Sequence, residues 1–120
     1  MKGLAIIVAD EEYRVEKFDG DGDALRAVVG GWIEPAPSME HVTVWVNEDG
    51  KGLRLPINRL AMDVWLRWDV YQCQVIGGDW IAGNAVVTGG VGPNGETLDI
   101  PADVRRWVLR VARDAGATIV

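Results

Sequence analysis

The chain has 120 residues, 48% of them apolar and 25% charged, with a formal net charge of -6. That length and balance fit one soluble folding unit with its own core and exclude a disordered chain. The acidic total, with a pI of about 4.6, argues against broad affinity for nucleic acid or anionic membranes.

Met1 to Ala9 has one positive charge and a short apolar run that meets Asp10-Glu11-Glu12, which predicts no signal peptide. No apolar run reaches the roughly 18 residues that a membrane span needs. A lone Cys73 excludes an internal disulfide, and with His41 as the single histidine the soft ligands of a zinc site are missing. A reducing compartment, the cytoplasm of a bacterial cell, is the expectation.

Gly3 to Val8 and the alternating Tyr13 to Phe18 read as two strands with Ala9 to Glu12 as their turn. Asp19-Gly20-Asp21-Gly22-Asp23 then supplies loop and cap chemistry. Leu25, Val28 and Val29 follow at helical spacing until Gly30-Gly31. Trp32-Ile33-Glu34, just before Pro35, can form only a brief or edge strand. Val42, Val44 and Val46 alternate with Thr43, Trp45 and Asn47, and Glu48 to Gly52 is expected to reverse the chain into Leu53-Arg54-Leu55, forming a hairpin.

From Asn58 the period changes. Leu60, Ala61, Val64, Trp65 and Trp68 predict a helix capped by Asn58, and Tyr71 to Ile76 and Trp80 to Val87 predict strands around Gly77-Gly78-Asp79. Gly89 to Gly95 is a loop. Pro101 opens a last helix, with Asp99 as its expected cap and Gly116 as its stop. The expected fold class is α+β, a mostly antiparallel sheet with helices packed on one face.

In order along the chain, Gly30-Gly31-Trp32-Ile33-Glu34, Asn47-Glu48-Asp49-Gly50-Lys51, Leu55-Pro56-Ile57-Asn58-Arg59 and Ile81-Ala82-Gly83-Asn84-Ala85-Val86-Val87 resemble the family called domain of unknown function 3846. The resemblance runs from about Lys2 to Gly90. It divides residues 1–120, read as a single domain, into a family-like body at 1–90 and a loop with a C-terminal helix extension at 91–120. Asp69 to Asp79 looks like an insertion. The resemblance implies a context of bacteriophages and actinobacterial mobile elements, and it carries no catalytic residues to transfer.

Five constellations carry candidate chemistry. Asp19 to Asp23 opens like a calcium loop, but an EF-hand needs Gly at the sixth position and an acid at the twelfth, where this chain has Ala24 and Gly30. Gly90 to Gly95 spells a dinucleotide fingerprint, yet Pro93 removes a donor and no helix follows directly. Cys73 with His41 could supply a nucleophile and base, whereas Ser38 follows Pro37 in a turn, so no catalytic residue, metal ligand or cofactor is assigned.

The fourth constellation is Trp45, Arg54, Asn58 and Arg59, where a guanidinium fork and an indole could hold an anionic planar ligand such as a nucleotide. A capped helix with surface ions is the simpler reading. The fifth is the last helix, where Arg106, Arg110 and Arg113 line one face and Val104, Trp107, Val108 and Val111 the other. Its four arginines against two aspartates give +2 locally and leave -8 elsewhere. The ridge is a candidate site for an acidic partner or for self-association. Trp65 and Trp107 sit on apolar stripes and are expected in the core.

The function expected from these features and from the context that the resemblance implies is that of a non-catalytic accessory protein that binds a host protein, with antagonism of host defence as its expected role. A protein that sequesters a small nucleotide-like signal is the alternative. Membrane and nucleic-acid partners are not expected.

Overall fold

A computed structural model describes residues 1–36, 41–68 and 80–120. Among them the chain forms β1 (Lys2–Ala9), β2 (Glu12–Asp19), α1 (Gly22–Val29), β3 (Ile33–Ala36), β4 (Val42–Asn47), α2 (Arg59–Trp68), β5 (Ala85–Gly89), α3 (Ala102–Asp114) and β6 (Thr118–Ile119). The strands make one sheet in the order β3-β4-β5-β1-β2-β6. All pairs are antiparallel except β2 with β6, so the fold is α+β. The strand expected at Tyr71 to Ile76, the turn after Pro35-Ala36 and the insertion at Asp69 to Asp79 lie outside the described residues.

β1 and β2 pair along their whole length, from Lys2 with Asp19 to Ala9 with Glu12. The two residues between them, Asp10 and Glu11, both have positive φ (50° and 65°), the backbone that matches the right-handed twist of a hairpin. β3 lies at the sheet edge, where Pro35 costs no ladder bond to a second neighbour.

The expected hairpin from Val42 to Leu55 does not form. Both edges of β4 are taken, one by β3 and the other by β5, and so Leu53-Arg54-Leu55 has no strand to join. Residues 48–54 instead close on themselves: Leu53 N donates to Asp49 O (2.9 Å), Leu55 N donates to Gly50 O (3.0 Å), and Arg54 takes φ 55°. The strand expected from Trp80 is also shorter. It starts at Ala85, because Gly83 at φ 89° breaks the extended backbone and Ile57 with Ala82 forms a single bridge.

The helices divide between the two faces of the sheet rather than sharing one. Leu4 and Ile6, Val42, Val44 and Val46, and Ala85 and Val87 point to the side where Leu60, Val64 and Trp65 of α2 and Val104, Val108 and Val111 of α3 complete the main core. The alternate residues Ala5, Phe18 and Val86 point the other way and pack with Leu25 of α1, with Ile33 and Trp45 at the margin. β5 is buried at all five positions, as a central strand covered on both sides must be. Its unbroken Ala85-Val86-Val87 run is the sequence sign of that arrangement.

Asp21 caps α1, its Oδ1 accepting from Ala24 N, and Gly30 ends the helix in the left-handed region at φ 79°. Asp99 does not cap α3. Pro101 holds that position without a side-chain bond, and the Asp99 carboxylate instead accepts from Lys2 N at 2.8 Å. Gly116 at φ 76° stops α3 as expected, after which β6 pairs with β2 at Arg14 and Val15.

Candidate functional site

The four residues read as a ligand pocket do not converge. Trp45 lies half-buried on the α1 face, and its Nε1 donates to Thr88 Oγ1 at 3.0 Å. Asn58 has no exposed surface. Its Oδ1 accepts from Ala61 N, which caps α2, and its Nδ2 donates to Ile6 O (3.1 Å) and Gly83 O (3.0 Å). Both amide hydrogens are therefore committed to the fold. Arg59 is exposed at the start of α2, where its backbone N donates to the Tyr13 hydroxyl at 3.2 Å. Its side chain borders an open hollow with Val8, Glu11, Tyr13, Pro56 and Ile57, a set that includes neither Trp45 nor Arg54.

A different surface gathers at one end of the sheet. The registers Ile33 with Asn47, Trp45 with Val86 and Ile6 with Ala85 bring together the start of β3, the end of β4, the start of β5 and the end of β1. Two asparagines tie α1 to the same end: Asn47 Nδ2 donates to Val29 O (3.1 Å) and Asn84 Nδ2 to Val28 O (3.0 Å). Trp32 (67% exposed), Leu53 (56%), Ile57 (49%) and Trp80 (45%), half of the eight large apolar side chains exposed among the described residues, lie in the segments that flank this end: Trp32 just before β3, Leu53 and Ile57 between β4 and α2, and Trp80 ahead of β5. The others lie in the loop after β5 and at the C-terminal strand.

Cations flank both indoles of that end. The Arg26 guanidinium is 5.3 Å from the Trp32 ring centre, and Lys51 Nζ is 4.5 Å from that of Trp80. Beneath Trp80 a cavity of about 200 Å³ reaches buried Trp65, with Glu34, Asn47 and Glu48 on its walls. Trp32 and Trp80 are two of the six tryptophans in the chain. Their neighbours differ: Trp32 stands beside Arg26 of α1, and Trp80 lines the cavity that reaches Trp65 of α2.

The arginine ridge is real in space. Arg106, Arg110 and Arg113 are exposed and line one open hollow of about 580 Å³ on α3, with Arg105 beside them. Trp107 borders the same hollow and is half-buried against the main core, not inside it like Trp65.

The remaining motifs serve the fold. In the Asp19 to Asp23 run, Asp21 caps α1 and Asp23 pairs with Arg26. Gly90 to Gly95 is a closed loop: Val91 bridges Thr97, Gly92 N donates to Glu96 O (2.7 Å), and Asn94 N donates to Glu96 Oε2 (2.9 Å). Both amides are taken by Glu96. His41 is exposed, and Cys73 lies outside the described residues.

A family model described as "Domain of unknown function (DUF3846)" matches residues 1–112. The chain belongs to this family. No curated protein and no solved structure is significantly similar to it. The DUF3846 match runs beyond Gly90 and through α3 as far as Ala112, so this helix is part of the family body and not an extension of it. Arg106 and Arg110 fall within the DUF3846 match, and Arg113 falls one residue past its end.

Proposed function

We infer that this protein acts by docking onto a host protein, as a non-catalytic accessory protein of a phage or mobile element in the bacterial cytoplasm. The observation that carries this reading is the exposure of Trp32, Leu53, Ile57 and Trp80 in the segments that flank one end of the sheet. Apolar side chains grouped within a charged rim are the usual anatomy of a protein interface, and tryptophan is among its strongest anchors. Arg26, Lys51 and Glu48 supply such a rim. Antagonism of host defence is the role we attach to this docking, and its support is the phage and mobile-element context that the sequence implies.

Capture of a small nucleotide-like signal is the second reading, supported by Lys51 over Trp80 beside the cavity under that ring. Pockets for drug-sized ligands start at about 300 Å³, and this cavity is about 200 Å³, so docking is the better supported of the two.

The test is affinity capture from host lysate with the parent protein and with a variant carrying Trp32→Ala and Leu53→Asp. The expected result is one host protein retained by the parent and lost with the variant, at equal thermal stability. Identical sets of retained proteins would contradict the reading.

A further inference from the structure

Arg106, Arg110 and Arg113 are spaced by four and three residues, which stacks their side chains on one stripe of α3. Like charges at that spacing repel one another and disfavour the helix. Among the described residues the ion pairs are Arg14 with Glu16 and Arg26 with Asp23, so neither offsets the stripe. One acid, Asp103, borders the hollow with four arginines. An acidic chain thus holds an uncompensated cationic face, with Trp107 and Leu109 providing apolar surface within it.

Guanidinium forks match carboxylates and phosphates alike. Extent separates the two. From Arg106 to Arg113 the stripe is about 10 Å long at the helical rise. A long polyanion would continue past it onto a body carrying -8, where it is repelled. A short acidic segment meets the stripe alone.

We propose that the exposed face of α3 binds a short carboxylate-rich protein segment, with an apolar side chain of that segment seated against Trp107 and Leu109. This rests on the docking reading above and names the chemistry of a second contact on the same partner.

The experiment measures fluorescence anisotropy of a labelled synthetic peptide rich in Asp and Glu with leucines at intervals. A second peptide with Gln and Asn in place of the acids, a DNA oligonucleotide and phosphatidylglycerol vesicles are run beside it. The acidic peptide should bind the parent and weaken steeply with salt, and the Gln/Asn peptide should bind at least about tenfold more weakly. Substituting Arg106→Glu, Arg110→Glu and Arg113→Glu together should abolish binding. The milder Arg→Gln set at the same positions should weaken it and leave the melting temperature unchanged.

Equal binding by parent and variants, or none by the parent, overturns the proposal. So does tighter binding of the oligonucleotide or vesicles, which would make the face a phosphate site. Self-association that the Arg→Glu set removes, with no peptide binding, would make a second copy the occupant and also overturn it. The Trp32→Ala, Leu53→Asp variant should bind the acidic peptide normally, which separates failure here from failure of the docking end.

Discussion

Asn58 joins three parts of the chain with one side chain: α2 through Ala61 N, β1 through Ile6 O and the approach to β5 through Gly83 O. Asn58→Ala removes a cap and orphans two buried carbonyls, which should cost about 2 to 4 kcal/mol in urea unfolding. Asn58→Asp keeps the cap but sets a carboxylate against those carbonyls, so it should cost more than the alanine. A loss under roughly 1 kcal/mol for both would show that the three contacts do not hold the fold. The cap was legible, since Asn58 stands just before the helical period. The other two bonds were not, because they span 52 and 25 positions that only the folded sheet brings together.

The two tryptophans expected in the core separate at the same scale. Trp65 is 3% exposed, and Trp65→Ala should cost about 3 to 5 kcal/mol. Trp107 keeps part of its ring at the surface, so Trp107→Ala should cost clearly less. Helical spacing assigned both to an apolar stripe, but it could not show that one lies at the stripe's margin. Equal losses in chemical denaturation would return Trp107 to the core.

Among the elements, those fixed by local chemistry were readable and those fixed by competition for partners were not. The β1–β2 hairpin, α1 between Asp21 and Gly30, and the stop of α3 at Gly116 all follow from neighbouring residues. Leu53-Arg54-Leu55 alternates as a strand would, yet β4 already has two neighbours. The two-sided burial of the sheet was visible in part, in Trp45 facing away from Val44 and Val46. Secondary chemical shifts should show helix at 22–29, 59–68 and 102–114, and strand at 118–119. They should show no strand at 53–55; extended shifts there would contradict the closed turn. Gly116→Ala should destabilise by about 1 kcal/mol, because φ there is positive, and a neutral result would mean that the cap relaxes.

For the whole molecule, two surfaces stand apart in character. Exposed apolar side chains flank one end of the sheet, and the outer face of α3 is cationic on an acidic body. The charge asymmetry was legible from composition along the chain. The exposure of Trp32, Leu53, Ile57 and Trp80 was not, because all four lie outside the strands and helices, where no periodicity marks a buried face. Contact through both surfaces would give an association that is steered by charge and held by apolar burial. Salt should then slow the on-rate while changing the off-rate less, which surface-immobilised partner binding would measure.

The most direct measurement is native mass spectrometry of the protein expressed in a bacterial host and purified gently. Docking predicts a stoichiometric complex whose added mass is that of one host protein, and which the Trp32→Ala, Leu53→Asp variant no longer forms. A monomer carrying a few hundred daltons of bound small molecule, with no protein attached, would contradict the account and favour ligand capture.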